Sequence, residues 1–230
     1  MKKKILIISG YDKWLVPIII KKLKKKYNVS HYFVKKNNFT LKYYILNIIS
    51  FGLLNSAKIF FLPKKNLKNS IAINHKNIDT LLRKKFDLKI LVNYPFKINN
   101  INLKIYNFHP SILPNYKHLN VIPRIMYDKL NYIDCNYGST IHKINEKFDD
   151  GKILWQKKLN VKKFSLNVID IYKRCYIQCC EGINFLLSKK KKKINIRRKL
   201  IKNHSLKLNF KMAILIYIKR LVKILYEKTL

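Results

Sequence analysis

Tyr106-Asn107-Phe108-His109-Pro110-Ser111-Ile112-Leu113-Pro114, then Gly138-Ser139-Thr140-Ile141-His142, then Phe148-Asp149-Asp150-Gly151-Lys152-Ile153-Leu154-Trp155-Gln156 carry the polar groups around which the chain is read. An amide, two imidazoles and a carboxylate lie at the ends of short apolar runs. Open α/β sheets present side chains to a ligand crevice at such ends. The stretch therefore predicts an α/β fold with chemistry at one edge of its sheet.

Working outward, Lys4 to Ser9 is a β-branched apolar run without alternation, the pattern of a strand buried on both faces, and it breaks at Gly10. Trp14 to Lys26 carries apolar residues on one side and lysines on the other, with Pro17 near its start, which predicts a helix. Val29 to Val34 reads as strand two, Leu41 to Leu54 as a second helix, and Ala57 to Leu62 as a third strand ending at Pro63. A short helix over Asn77–Lys85 precedes a buried strand over Leu88–Val92. A strand at Lys104–Asn107 brings Asn107 and His109 to its C-terminal edge. A helix from Ile122 to Lys129, strands over Tyr137–Lys143 and Lys152–Leu159, and a long helix from Ser165 to Leu187, capped by Ser165 or Asn167, complete the expected domain. Alternating strands and helices predict a Rossmann-like, doubly wound, mostly parallel sheet with helices on both faces. Residues 1–187 form that domain, and residues 188–230 form a basic C-terminal tail with an amphipathic helix over Lys211–Lys228.

Composition bounds the partners. Fifty Lys and Arg face 11 Asp and Glu across 230 residues, a formal charge of +39. A field of this sign attracts nucleic acid, anionic lipid or phosphorylated substrates without specifying a fold. Cys135, Cys175, Cys179 and Cys180 make no CxxC pair and read as packed thiols of a reducing cytoplasm. His31, His75 and His204 have no partners at zinc-ligand spacing, so no metal is expected. The apolar run after Lys2-Lys3-Lys4 is too short for a secretory leader, and no run reaches the ~18 apolar residues that span a bilayer.

Taken alone, Asn107, His109 and Asp149 suit acyl transfer: an amide to hold a developing oxyanion, an imidazole to move a proton, and a carboxylate to tune it. Ser111 follows Pro110 rather than sitting in a G-x-S-x-G elbow, so a serine hydrolase fits poorly. Direct transfer to an external nucleophile fits better.

The three motifs, in this order, resemble the folate-dependent formyltransferase family, which includes glycinamide ribonucleotide, methionyl-tRNA and amino-sugar N-formyltransferases. The resemblance covers about residues 1–187 and is strongest from 105 to 160. It implies N10-formyltetrahydrofolate as co-substrate and a primary amine as acceptor. Asn107 would orient the formyl group, His109 would act as acid or electrostatic stabiliser, and Asp149 would tune His109 and relay protons. The resemblance also implies a pterin slot built from the backbone at Leu91, Asn93, Tyr94, Pro95 and Phe96 and from Phe148, Asp150 and Gly151. Ser111, His118 and His142 are candidates for substrate contact or support. The family carries a glycine where this chain has His118, so a left-handed backbone there would strain the loop.

Acceptor choice follows from the remaining 43 residues after Leu187, which are basic and helical in pattern rather than strand-rich. A methionyl-tRNA enzyme would add a β-barrel of roughly a hundred residues. The expectation is therefore a small, phosphorylated or nucleotide-linked amine, an amino sugar first, with methionyl-tRNA as runner-up. A catalytically silent domain binding polyanion or membrane is the reading from another class, and the intact trio argues against it. The tail stripe has three possible fates: packing on its own domain, which is commonest, self-association, or an anionic membrane surface. Oligomeric state is left open.

Overall fold

The computed structural model describes residues 1–10, 12, 14–34, 45–46, 48–49, 70–98, 103–118, 120–131, 135–161, 167–188 and 209–228. β1 runs Lys4–Gly10, and its side chains divide between two apolar layers. Ile5 and Ile7 pack with helix α1 (Val16–Lys24) on one face, and Leu6 and Ile8 pack with helix α2 (Ile78–Arg83) on the other. That division is why the run lacks alternation: neither face meets water.

Helix α1 is shorter than the apolar stripe suggests. Asp12 Oδ1 accepts from the backbone N–H groups of Trp14 (2.8 Å) and Leu15 (2.7 Å), turning the chain before the helix begins. At the other end Lys26 and Tyr27 N–H both return to the Leu23 carbonyl at 2.9 Å and close it.

The sheet has seven strands in the order β3-β2-β1-β4-β5-β6-β7. These are β2 Asn28–Val34, β3 Ile71–Ile73, β4 Leu88–Val92, β5 Tyr106–His109, β6 Gly138–Lys143 and β7 Ile153–Lys158. The first five in spatial order are parallel; β6 adds antiparallel to β5, and β7 adds antiparallel to β6. The expected strand Ala57–Leu62 lies outside the described residues, as do Ser165 and most of the Leu41–Leu54 helix, of which Ile45, Leu46, Ile48 and Ile49 are helical. Strand β3 escaped the sequence reading because its apolar run, Ile71-Ala72-Ile73, is too short to announce a strand, and at the sheet edge Ile71 is 56% exposed. Strand β5 lies two residues further along than expected, so His109 is still in the ladder, opposite Thr140.

On the α1 face, helices α3 (Val121–Leu130) and α4 (Val168–Leu187) cover the sheet. Asn167, not Ser165, caps α4, its side chain accepting from Asp170 N–H at 3.0 Å. Helix α5 (Phe210–Lys228) packs on α3, burying Met212 and Ala213 beside Leu46 and sending Ile216 into the main core.

Gly182 sits where α4 crosses β6 and β7. A Cβ there would lie 2.6 Å from Ile141 Cδ1 and 2.7 Å from the Trp155 ring. Gly182→Val is expected to destabilise the fold by about 1–3 kcal/mol through overpacking. A lower urea midpoint at unchanged slope is the readout.

Candidate functional site

Three segments bring the site together at the sheet edge. Parallel register sets Leu91 beside Asn107 and Val92 beside Phe108, while β6 sets His142 opposite Asn107. The loop between β6 and β7 then returns Asp149 over β5, with Asp149 itself in a left-handed conformation (φ 52°). Gly151 lets that loop pass close to β6: a Cβ would stand 1.6 Å from the Lys143 carbonyl oxygen.

Asp149 is the hub, its side chain only 9% exposed. Its Oδ1 accepts from Asn107 Nδ2 at 3.1 Å and lies 3.5 Å from His109 Nδ1 and 3.6 Å from His142 Nε2. Its Oδ2 accepts from the His118 backbone N–H at 2.8 Å. The carboxylate orients the Asn107 amide, since only the NH2 end can donate to it. The second N–H of that amide goes to His142 Nε2 at 3.1 Å, whose other nitrogen lies 3.1 Å from the Lys143 carbonyl and so carries the proton.

The same reasoning assigns His109. Its Nε2 is 2.7 Å from the Tyr116 carbonyl, which can only accept, so Nε2 holds the hydrogen and the Nδ1 lone pair faces Asp149. Burial pushes the His109 imidazolium down, and the attraction of Asp149 and the Tyr116 carbonyl recovers only part, leaving a neutral ring at neutral pH. Burial would also raise the Asp149 carboxyl. The positive charge that a proton on either neighbouring imidazole brings, with the His118 N–H, outweighs that and holds it well below the ordinary carboxylate range, so the carboxyl gives up its proton before the imidazole beside it does. The site thus pairs an ionised carboxylate with a vacant proton position on an adjacent imidazole.

Ser111 points elsewhere. Its Oγ donates to the Tyr116 carbonyl at 2.6 Å, so that one oxygen receives both Ser111 and His109. His118 contributes its backbone N–H from an exposed position, with φ 71°, the left-handed backbone that strains a side-chain-bearing residue. Leu91 has its side chain in the core with Leu6 and Ile8, so only its backbone is available at the edge. Asn93 (φ 52°) is exposed at the end of β4, and Pro95 lies half-buried nearby. Tyr94 and Phe96 gather on His75, the Tyr94 hydroxyl 2.5 Å from His75 Nδ1 and the Phe96 ring stacked on it at 4.4 Å. Phe148 is 46% exposed at the rim, and Asp150, also exposed, pairs with Lys117.

Several contributors went unnoticed in the sequence. Tyr116 donates its hydroxyl to the buried Asp128 of α3 at 2.5 Å, and buried Arg124, one turn earlier, donates to the Lys117 carbonyl at 2.6 Å. The visible signal was an Arg and an Asp at i, i+4 inside an otherwise apolar helix. Thr140 donates to the Ser111 carbonyl (2.6 Å), and Gln156 donates to Thr140 Oγ1 (3.0 Å) and to the Leu113 carbonyl (2.9 Å), holding the turn after His109. Asp12, at the neighbouring edge of β1, has its Oδ2 3.4 Å from Asn93 Nδ2. Burial raises the Asp12 carboxyl above its ordinary value, opposed by the Leu15 and Trp14 N–H groups and the Asn93 amide.

A family model described as formyl transferase matches residues 2–182. The chain belongs to the formyl transferase family. It is 32% identical over 103 residues to phosphoribosylglycinamide formyltransferase from Haemophilus influenzae, covering 43% of this chain and 47% of that protein. It is 29% identical over 162 residues to methionyl-tRNA formyltransferase from Thermosipho melanesiensis, covering 65% of this chain and 48% of that protein. The chain thus spans about half the length of the curated relatives it matches. Among solved structures, a sugar N-formyltransferase from Shewanella sp superposes with a TM-score of 0.55 at 19% identity, over 94% of this chain and 87% of that one, a likeness of fold.

Among the described residues, no group of three His, Cys, Asp or Glu could hold a metal ion, and no helix is long and apolar enough to cross a membrane.

The electrostatics predict a pH profile. His109 and His31 both have lowered folded values, His31 at about 4 through burial and the charge of Lys24. The unfolded chain takes up protons first, below its histidine value of about 6.5, so stability falls as pH drops from there. Each histidine contributes up to about 1.4 kcal/mol per pH unit in that window. Asp149 has a depressed folded value, so its contribution is present above about pH 4 and is lost only below it. Urea midpoints at pH 7 and 5 should differ by this histidine term, and His109→Gln should shrink the difference. A flat profile would contradict two neutral buried rings.

Proposed function

We propose that the chain transfers the formyl group of N10-formyltetrahydrofolate directly to a primary amine, with a nucleotide-linked amino sugar as acceptor. The observation that carries the reading is an amide, an imidazole and a carboxylate converging at the sheet edge with no nucleophile among them. Ser111 Oγ is committed to the Tyr116 carbonyl, and the four cysteines are buried. Burial pushes Cys175 up to about 12 and Cys180 to about 11, and it raises Cys179 well above the ordinary thiol value. Without a covalent intermediate, catalysis rests on orientation and charge stabilisation.

The residues fit a flat heteroaromatic co-substrate. Half-buried Tyr94 and Phe96 and exposed Phe148 supply apolar surface, and the backbone of the loop from Phe148 to Gly151 would supply hydrogen-bonding groups. The bound folate supplies an activated formyl carbon. In this reading Asn107 Nδ2 donates to the formyl oxygen, exchanging its neutral acceptor His142 for one that gains negative charge during transfer. The amine proton moves to His109 Nδ1, the vacant position beside Asp149, and the imidazolium formed is neutralised by that carboxylate. As the carbon–amine bond forms and the bond to the folate nitrogen breaks, the same proton passes to the departing nitrogen, which restores the neutral ring.

Two observations bear on the acceptor. The first turn after a central strand is where open α/β folds hold phosphate, on free N–H groups at a helix start. Here the Asp12 carboxylate takes the Trp14 and Leu15 N–H groups, which disfavours an acceptor whose phosphate docks on that turn. The net charge of +39 leaves ample cation elsewhere for a diphosphate. The same charge suits tRNA, and the match to a methionyl-tRNA formyltransferase spans 162 residues, so charged initiator tRNA is the second reading.

The test follows tetrahydrofolate release from N10-formyltetrahydrofolate with an amino-sugar nucleotide and, separately, with charged initiator tRNA. Turnover is expected with the first, and Asn107→Ala or Asp149→Ala should each lower kcat/KM by about 10²–10³-fold. Turnover with tRNA alone would move the acceptor to the second reading. Absence of turnover with every amine, or indifference to both substitutions, would sink formyl transfer.

A further inference from the structure

Among the described residues nine large hydrophobic side chains are exposed, and five lie on α5: Phe210 (52%), Ile214 (36%), Tyr217 (43%), Ile218 (48%) and Val222 (58%). A sixth, Ile45, is next to Leu46, which packs on the same helix. Phe210, Ile214, Ile218 and Val222 follow i, i+4, i+8 and i+12, one stripe along the helix. Met212, Ala213 and Ile216, on the opposite side, are already buried. The helix is therefore apolar on two faces, and among the described residues only the inner one is packed against the fold. Scattered surface hydrophobics are ordinary; a continuous row with exposed lysines, Lys211 and Lys219, at its margins marks an interaction surface.

We infer that the outer face of α5 lies in the interface of an anionic lipid bilayer, with its isoleucine stripe among the acyl chains and its lysines at the headgroups. Charge selects this occupant. Fifty cationic residues against 11 acidic ones give a field that anionic headgroups complement, whereas two copies of the chain repel one another at +39 each. A nucleic acid would meet the lysines, but it offers no apolar phase for Phe210, Ile214, Ile218 and Val222. No helix among the described residues can cross the bilayer, so the arrangement is peripheral, parallel to the surface. This inference does not depend on the acceptor or on formyl transfer.

The test is co-sedimentation of the full chain with vesicles of phosphatidylcholine alone and of phosphatidylcholine mixed equally with phosphatidylglycerol. It is run in about 0.5 M salt, where the screening length is only about 4 Å. Wild type is expected to bind the anionic vesicles and not the neutral ones. The double substitution Ile214→Ser and Ile218→Ser, which leaves charge unchanged, should weaken binding about tenfold. In a second variant, Ile218→Trp, indole emission should shift to the blue on anionic vesicles. Circular dichroism identical to wild type establishes that both variants fold. Three results each overturn the inference: wild type fails to bind; the double variant binds as well as wild type, meaning adsorption through lysine alone; or light scattering finds a dimer that the double substitution dissolves, meaning a second copy covers the stripe.

Discussion

One buried carboxylate ties the working edge of this molecule together. Asp149 accepts from a side chain on β5 and from a backbone N–H in the loop that follows it, while two imidazoles from neighbouring strands lie within 3.6 Å. A charge this enclosed is stable only when its donors are in place. The positions of Asn107, the 114–118 loop and the β6–β7 loop are therefore not independent choices. Displacing any one leaves the carboxylate short of a partner, so the arrangement tends to be present whole or absent.

A second tier of polar contacts holds that arrangement from behind. The Tyr116 carbonyl takes two hydrogen bonds at the site, and the same residue's hydroxyl reaches Asp128 inside α3. Arg124, a turn away on α3, ties down the adjoining carbonyl of Lys117. Helix α3 is also the element on which α5 rests. Helix α5 and the polar edge around Asp149 thus share one support, and a change in how α3 seats would reach both.

The parallel core was legible because strands buried on both faces write unbroken apolar runs, as Lys4–Ser9 and Leu88–Val92 do. Asn107, His109 and His142 were legible as polar residues interrupting such runs, and strand register brings them together; Asp149 reaches them from the β6–β7 loop, through its left-handed backbone. Edge strand β3 was illegible because a three-residue, half-solvated strand has no burial to encode. Asp12, Tyr116, Arg124 and Asp128 were illegible for a different reason. Each acts through a partner distant in sequence or through its backbone, and a lone Asp before a helix looks like any cap.

Among the described residues four non-glycines sit in left-handed backbone conformations, Asn93, His118, Asn120 and Asp149, and all four belong to the loops around the site. A chain with only five glycines among 230 residues has built these turns from side-chain-bearing residues instead. Such residues explore fewer conformations when unfolded than glycine does, so less entropy is lost when the loops order. The native turns are individually less comfortable, yet the denatured chain is also less free. The site loops are accordingly poised to be stiff before any ligand arrives, which favours binding by complementarity over binding by closure.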